Sequence, residues 1–314
     1  MNYRIGVDIG GMSIKVGVVD ENYNIIARHN VVTPDTFEKS MKATADAVME
    51  VIGKLGLSIN DFPCVGIGTP GSVVPETGRL CFSNNTNWKD VPMADELKKY
   101  IPIPVFIAND ANCAIIGETV AGAAKGRKHV IMLTLGTGVG GGIVINGKVF
   151  SGGNGVGAEL GHMVLIHDGY PCTCGMNGCL ESYASATALM RQTREAIEVH
   201  PESAMNAWVL ENGEVNGKTA FECAKAGDET AMQVVDTYVG YLANGIGSLI
   251  NIFRPEVVLI GGGVSNAGDF FLNKIRERMP EYTFAYDITG PTPIERATLG
   301  NDAGIIGASY LDEM

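Results

Sequence analysis

The stretch IGVDIGGMSIKVGVV, Ile5 to Val19, decides the fold of this 314-residue chain. Two runs rich in β-branched residues flank Gly10-Gly11, so the segment reads as a strand, a tight glycine turn and a second strand. The stretch IMLTLGTGVGGGIVI, Ile131 to Ile145, repeats the plan. A second echo accompanies the first: Cys64-Val-Gly-Ile-Gly-Thr-Pro-Gly71 and Val257-Val-Leu-Ile-Gly-Gly-Gly-Val264 each run a short apolar strand into a glycine loop. Hairpin, then strand-to-glycine loop, thus occurs twice, which predicts two related α/β domains facing one another. The expected division is 1–121 and 122–301, with the last helix, within 302–314, able to pack on either.

Helices fill the intervals. Phe37, Met41, Ala45, Val48, Ile52 and Leu55 recur at helical spacing after Thr33-Pro34, with Gly56 placed as a C-cap. Further helices are expected at 111–124, after the strand Val105 to Ala108, and at 229–250 and 269–279. From Gly152 to Gly178 the periodicity vanishes while Gly and Cys accumulate, which predicts a site-forming loop inserted in the second repeat.

Composition narrows the function classes. With 46% hydrophobic and 18% charged residues the chain belongs among folded proteins, and its 41 glycines are bunched into a few loops. A net charge of −12 with scattered Lys and Arg argues against a nucleic-acid partner. No basic-then-apolar leader opens the sequence, and the longest apolar stretches are broken by glycines or by Asn244, Ser248 and Asn251, so no membrane span is expected. Seven cysteines without an export signal suit a reduced, cytoplasmic protein whose thiols are buried or bind metal.

Four constellations carry chemistry. Gly136-x-Gly138-x-Gly140 is spaced like part of a dinucleotide fingerprint, but a strand follows where that motif needs a helix, which disfavours a dinucleotide site. The two glycine turns can instead aim backbone N–H groups at phosphate oxygens, helped by the Ser13 and Thr137 hydroxyls, or they are tight hairpins alone. Asp8, beside Gly10-Gly11 and followed by Lys15, suits a hydrated Mg²⁺, or makes a turn hydrogen bond. Asn109-Asp110 ends an apolar strand and opens a helix, the place where open α/β sheets present ligands. Asp110 can accept a hydroxyl proton while that oxygen attacks phosphorus, or the pair is an Asx helix cap. Last, Glu159-Leu-Gly-His162 precedes Cys172-Thr-Cys174 and Cys179-Leu-Glu181. One His and three Cys make a tetrahedral Zn²⁺ set, with buried reduced thiols as the alternative. A metal-bound His162 keeps its second nitrogen for a hydrogen bond. With Glu159, Glu181 and Asn109 it forms the kind of set a polyhydroxyl ligand needs.

In order along the chain, Asp8-Ile-Gly-Gly11, Gly66-Ile-Gly-Thr-Pro-Gly71, Asn87-Trp88, Asn109-Asp-Ala-Asn112 and Leu135-Gly-Thr-Gly-Val-Gly-Gly-Gly142 are joined by Glu159-x-Gly-His162, the cysteine loop and Pro255 to Ser265. Together they resemble the ROK family (repressor, open reading frame, kinase), especially its ATP-dependent glucokinases. The resemblance spans nearly the whole chain. It implies an actin-like (ribonuclease H-like) α/β ATPase fold, with two domains around a cleft for sugar and MgATP. It implies ATP-dependent phosphorylation of a hexose, glucose foremost, with Asp110 as general base for the 6-hydroxyl. Mannose, allose, fructose, N-acetylmannosamine and N-acetylglucosamine are the alternative acceptors, and a non-catalytic sugar sensor is the alternative class.

The same resemblance assigns sugar contacts to Gly71, Asn84, Asn109, Asp110, Glu159, His162 and Glu181. It assigns ATP contacts to Asp8, Gly10, Gly11, Met12, Ser13, Lys15, Gly136, Thr137, Gly138, Gly261, Gly262 and Gly263. A structural zinc would be held by His162, Cys172, Cys174 and Cys179, and a cytoplasmic homodimer is expected. Met12 departs from the family, which usually has Thr there, so one hydroxyl is lost. Only seven residues precede Asp8, so the DNA-binding segment of the family's repressors is not expected.

Overall fold

The computed structural model describes residues 3–83 and 85–313 and divides into two compact units. One comprises 1–130, 142–158 and 298–314; the other comprises 131–141 and 159–297. Residues 122–130 and 142–158 therefore group with the N-terminal unit, whereas the sequence pattern had placed them in the second.

In the first unit, β1 (Arg4–Ile9) and β2 (Ser13–Val19) pair antiparallel with Ile9 opposite Ile14 and Asp8 opposite Lys15, forming the expected hairpin. β3 (Ile25–Val32) extends it, and α1 (Phe37–Gly53) follows, opened by Thr36, whose side chain accepts from the Lys39 N–H. α1 stops short of Leu55 because the Leu57 N–H turns back onto the Ile52 carbonyl. Next come β4 (Val65–Thr69), a small antiparallel sheet of β5 (Ser72–Val74), β6 (Arg79–Phe82) and β7 (Lys89–Val91), then α2 (Met93–Leu97), β8 (Val105–Asn109) and α3 (Asp110–Val120). The main sheet runs β3-β2-β1-β4-β8, with β1, β4 and β8 parallel. Ile5, Val7, Ile9, Val16, Val48 and Ile52 are among its buried core residues.

α3 was expected to reach Ala124 but ends at Val120. The cause is Glu118, fully buried, whose carboxylate accepts from the Ala123 N–H at 2.8 Å. The same carboxylate also accepts from the Leu299 N–H at 2.7 Å and the Thr298 hydroxyl at 3.2 Å. A buried carboxylate needs such partners. They hold the segment after α3 and the segment re-entering this unit to one side chain.

In the second half, β9 (Val130–Leu135), β10 (Val139–Ile145) and β11 (Lys148–Val149) lead to the long irregular segment. Between 152 and 178 the only regular features among the described residues are a 3₁₀ turn at Leu160–His162 and single bridges pairing Val164 with Cys179 and Pro171 with Asn177. Helices α4 (Glu181–Ala184), α5 (Ala186–Val199), α6 (Ala204–Asn212) and α7 (Thr219–Lys225) follow, then α8 (Glu229–Phe253), β12 (Val257–Gly261), α9 (Asp269–Tyr282), α10 (Tyr286–Thr289) and β13 (Ile294–Arg296). α8 and α9 each run three residues beyond their expected ends. α8 stops where Arg254 takes a left-handed conformation. Among the described residues no helix is long and apolar enough to cross a membrane.

The second sheet runs β11-β10-β9-β12-β13, strand for strand the order of the first. In each, the hairpin's first strand lies beside the strand that ends in a glycine loop, so the repeat read in the sequence is a repeat of topology. α11 (Ala303–Ala308) packs on α3 and β1 within the first unit. It lies directly on the sheet because Gly6 and Gly66 lack a Cβ, which would fall 1.9 Å from the Ile305 carbonyl oxygen and 1.7 Å from that of Ala308.

Candidate functional site

In the first unit the parallel register sets Asp8 beside Gly68 and Thr69 beside Asn109. Asp8 and Asn109-Asp110 therefore emerge at the carboxyl ends of two parallel strands that flank β4, the side where open sheets bind ligands. The capping alternative is realised, but by Asn109. Its Oδ1 accepts from the Ala111 N–H at 2.8 Å and the Asn112 N–H at 3.3 Å, while its Nδ2 donates to the Gly71 carbonyl at 3.0 Å. Asp110, the first residue of α3, is exposed and accepts from the Ala111 N–H at 2.9 Å. Burial, followed by the charges of Asp110 and Asp8, pushes the Cys113 thiol well up.

The first glycine turn is closed by the Gly10 N–H donating to the Ser13 carbonyl at 2.9 Å. Thr33 secures it, its hydroxyl donating to the Gly10 carbonyl at 2.7 Å and its N–H to the Met12 carbonyl at 3.1 Å. Gly11 is required by close approach, since a Cβ would lie 2.7 Å from the Asn85 carbonyl oxygen. The Met12 side chain is 87% exposed, so it supplies the turn with backbone alone. Lys15 reaches across the hairpin to Asp8, Nζ to Oδ2 at 2.8 Å. The structure thus brings together Asp8, Gly10, Gly11, Met12, Ser13 and Lys15. Asn84 lies outside the described residues.

In the second unit the Gly136 N–H donates to the Gly138 carbonyl at 3.0 Å, closing the turn between β9 and β10. Gly262, just past β12, has φ +77°, and a Cβ there would lie 2.4 Å from the Leu135 carbonyl oxygen. The two glycine loops therefore touch, which unites Gly136, Thr137 and Gly138 with Gly261, Gly262 and Gly263. The Ser265 hydroxyl fixes this loop by donating to the Gly262 carbonyl at 2.7 Å.

The cysteine loop folds as a compact donor set. The Cys172 N–H donates to the Met176 carbonyl at 2.8 Å and the Gly175 N–H to the Cys172 carbonyl at 3.0 Å, curling the chain so that its thiols converge. Ligand atoms of His162, Cys172, Cys174 and Cys179 all lie within 4.8 Å of one another. Cys172 Sγ is 3.6 Å from His162 Nδ1, and Cys174 Sγ is 3.7 Å from Cys179 Sγ. Metal–sulfur bonds of about 2.3 Å in a tetrahedron separate the donors by about 3.8 Å, so the set fits a zinc-like ion. Those separations are far too long for a disulfide, and all seven cysteines are free thiols. Four protein donors would leave a tetrahedral ion no open coordination position.

Glu159 and Glu181 adjoin this set. Partial burial pushes the Glu159 carboxyl up, an effect that His162 opposes and the Glu181 charge reinforces. Glu181 Oε2 accepts from the Val139 N–H at 2.9 Å, and its Oε1 accepts from the Thr173 hydroxyl at 3.2 Å. Sequence reasoning missed Thr33, Glu118 and Thr173. Only Thr173 carried a signal, its place between two candidate ligands; the others act on partners remote in sequence.

Each unit thus offers glycine turns suited to phosphate and carboxylates suited to hydroxyls. Comparison with known proteins bears on that geometry. The ROK family model matches residues 4–313. The glucokinase of Thermotoga maritima is 40% identical over 311 residues, 98% of this chain and 96% of that protein. A ROK family glucokinase from Streptomyces griseus, solved in complex with glucose and AMPPNP, matches with a TM-score of 0.83 at 36% identity, with 99% of each chain covered. A ROK hexokinase from Thermus thermophilus matches with a TM-score of 0.83 at 33% identity, over 98% of this chain and 97% of that one. The motifs occur in the family's order, the fold is shared, and the family match runs almost from end to end: this chain belongs to the ROK family.

Proposed function

We propose that the protein transfers the γ-phosphoryl group of MgATP to the 6-hydroxyl of a hexose, with glucose as the preferred acceptor. The observation that carries this reading is the strand register bringing Asp8 and Asn109-Asp110 to the carboxyl ends of parallel strands in one sheet, with Asn109 capping α3 and Asp110 presented at its first turn. The glucokinase from Thermotoga maritima and the glucose- and AMPPNP-bound structure from Streptomyces griseus support it.

Asp110 accepts the hydroxyl proton as the sugar oxygen bonds to the γ-phosphorus and the bond to the β-phosphate bridging oxygen breaks, releasing ADP. Backbone N–H groups of the turns at Gly10–Ser13, Gly136–Gly138 and Gly261–Gly263 stabilise the charge on the phosphate oxygens. Asp8, kept in place by Lys15, is the residue to hold a hydrated Mg²⁺, which when bound neutralises charge on the phosphates. Asn109, Glu159, His162 and Glu181 orient the sugar hydroxyls, with Gly71 alongside. His162, Cys172, Cys174 and Cys179 would hold a structural zinc, which when bound would keep His162 and the Glu181 loop in register. The reading extends to a cytoplasmic homodimer, supported by the family resemblance and by free thiols.

The test is a coupled ADP-release assay with MgATP against glucose, mannose, allose, fructose, N-acetylglucosamine and N-acetylmannosamine. Asp110-dependent turnover led by glucose is the expected result. Preference for another hexose would keep the mechanism and move the substrate. Sugar binding without turnover, in folded zinc-loaded protein, would overturn the kinase reading in favour of a sensor.

A further inference from the structure

The cysteine loop and the second glycine turn are some thirty residues apart in sequence, yet one side chain touches both. Glu181 opens α4, with Oε2 taking the Val139 N–H at 2.9 Å, one residue past Gly138. Its Oε1 takes the Thr173 hydroxyl at 3.2 Å and the Cys172 thiol at 3.6 Å. Gly138 belongs to the same contact, because a Cβ there would lie 2.3 Å from Glu181 Oε2. Only glycine lets the carboxylate seat against the turn. α4 is also tied to the loop directly: the Ser182 hydroxyl donates to the Pro171 carbonyl at 3.1 Å, and the Tyr170 N–H donates to the Tyr183 hydroxyl at 2.7 Å.

We propose that Glu181 is a positioning residue that couples metal binding at His162, Cys172, Cys174 and Cys179 to nucleotide binding at the Gly136–Val139 turn. The inference rests on the phosphate-binding role proposed above for that turn. A metal held by His162, Cys172, Cys174 and Cys179 would order the loop that carries Thr173, whose hydroxyl donates to Oε1. The carboxylate is thereby fixed with Oε2 on the Val139 N–H, and the turn keeps the shape that aims its other N–H groups outward. Such coupling is reciprocal: the factor by which metal tightens nucleotide equals the factor by which nucleotide tightens metal.

The experiment measures both sides of that cycle without turnover. A non-hydrolysable ATP analogue is titrated calorimetrically into zinc-loaded and zinc-stripped protein. Zn²⁺ affinity is then measured against a chromophoric chelator, with and without the analogue. The expected coupling is roughly fivefold or more, equal in both directions. Because stripped protein can unfold, Thr173→Val is tested in parallel. It removes the brace while sparing every metal ligand, and should keep zinc stoichiometry and thermal midpoint while the coupling factor falls to about one. Zn²⁺ affinity unchanged by the analogue in the native protein, or full coupling in Thr173→Val, would overturn the proposal. Failure of the analogue to bind the native zinc-loaded protein would overturn the phosphate reading and this inference with it, whereas binding without coupling overturns this inference alone.

Discussion

Asp110 and its neighbour show how much a single residue's role depends on partners. Both were legible as a pair at a strand-to-helix junction, but which one caps the helix was not, because either carboxamide or carboxylate satisfies the same backbone donors. The structure gives the cap to Asn109, whose other end donates to the Gly71 carbonyl. Asp110→Asn should therefore leave the thermal midpoint and sugar affinity nearly unchanged while lowering turnover by about 10²–10⁴-fold, the range of general-base contributions, as read by ADP release and calorimetry. A second carboxylate sets a pH dependence. Asp228 caps α8, accepting from the Ala231 N–H and the Ala204 N–H at 2.7 Å each and from the Ser203 hydroxyl at 2.9 Å. Burial alone would raise its pKa, but these hydrogen bonds outweigh it and hold the carboxyl below its ordinary value. A depressed folded pKa stabilises the native state above the unfolded value of about 3.9, and the contribution is lost as pH falls through the folded value. Asp228→Ala should cost about 1–2 kcal/mol at neutral pH. In thermal melts, the gap to the native protein should narrow steadily below about pH 4.

Among the elements, the strands and long helices were readable because their signal is local: short apolar runs ending at glycine in β1 and β9, and a helical apolar stripe in α1 and α8. α5, α6 and α7 were not singled out. α6 buries Met205 alone among its residues, so it presents no stripe to read. Glycine loops show the same divide. Their presence was plain, but only packing separates Gly262 from its neighbour. Gly262→Ala meets both a positive φ and the Leu135 backbone, and should cost about 1–3 kcal/mol with loss of nucleotide affinity. Gly263→Ala enters open space and should stay within about 0.5 kcal/mol of native stability, so any change it makes in the KM for ATP reports the nucleotide contact itself. In the cysteine loop, Cys174→Ser should abolish stoichiometric zinc by elemental analysis and lower the thermal midpoint. It should also raise the KM for sugar, through His162, more than it lowers kcat. Unchanged sugar kinetics in zinc-free protein would remove the metal from the sugar site.

For the whole molecule, the internal repeat was the most informative feature, because two sheets of identical strand order account for two sets of glycine loops in one chain. The grouping of residues into units followed it less closely: 142–158 joins the first unit, and α11 returns to pack on β1 and α3. Close approaches such as Gly6 and Gly66 to α11 make that return possible, and they connect residues about 240 to 300 positions apart. The sequence by itself carried the repeated hairpin plan, the glycine loops, the strand-to-helix Asn109-Asp110 pair and the His–Cys set, since each is written in short, local patterns of spacing and polarity; the further site residues came from the family resemblance that those motifs carry. Tertiary structure alone decided that Thr33 secures the first turn, that Glu118 ties the end of α3 to a segment 180 residues on, and that one carboxylate, Glu181, serves both the cysteine loop and a glycine turn. The physical reason is that a hydrogen bond between residues remote in sequence leaves no periodicity behind; only the folded chain shows which donor meets which acceptor.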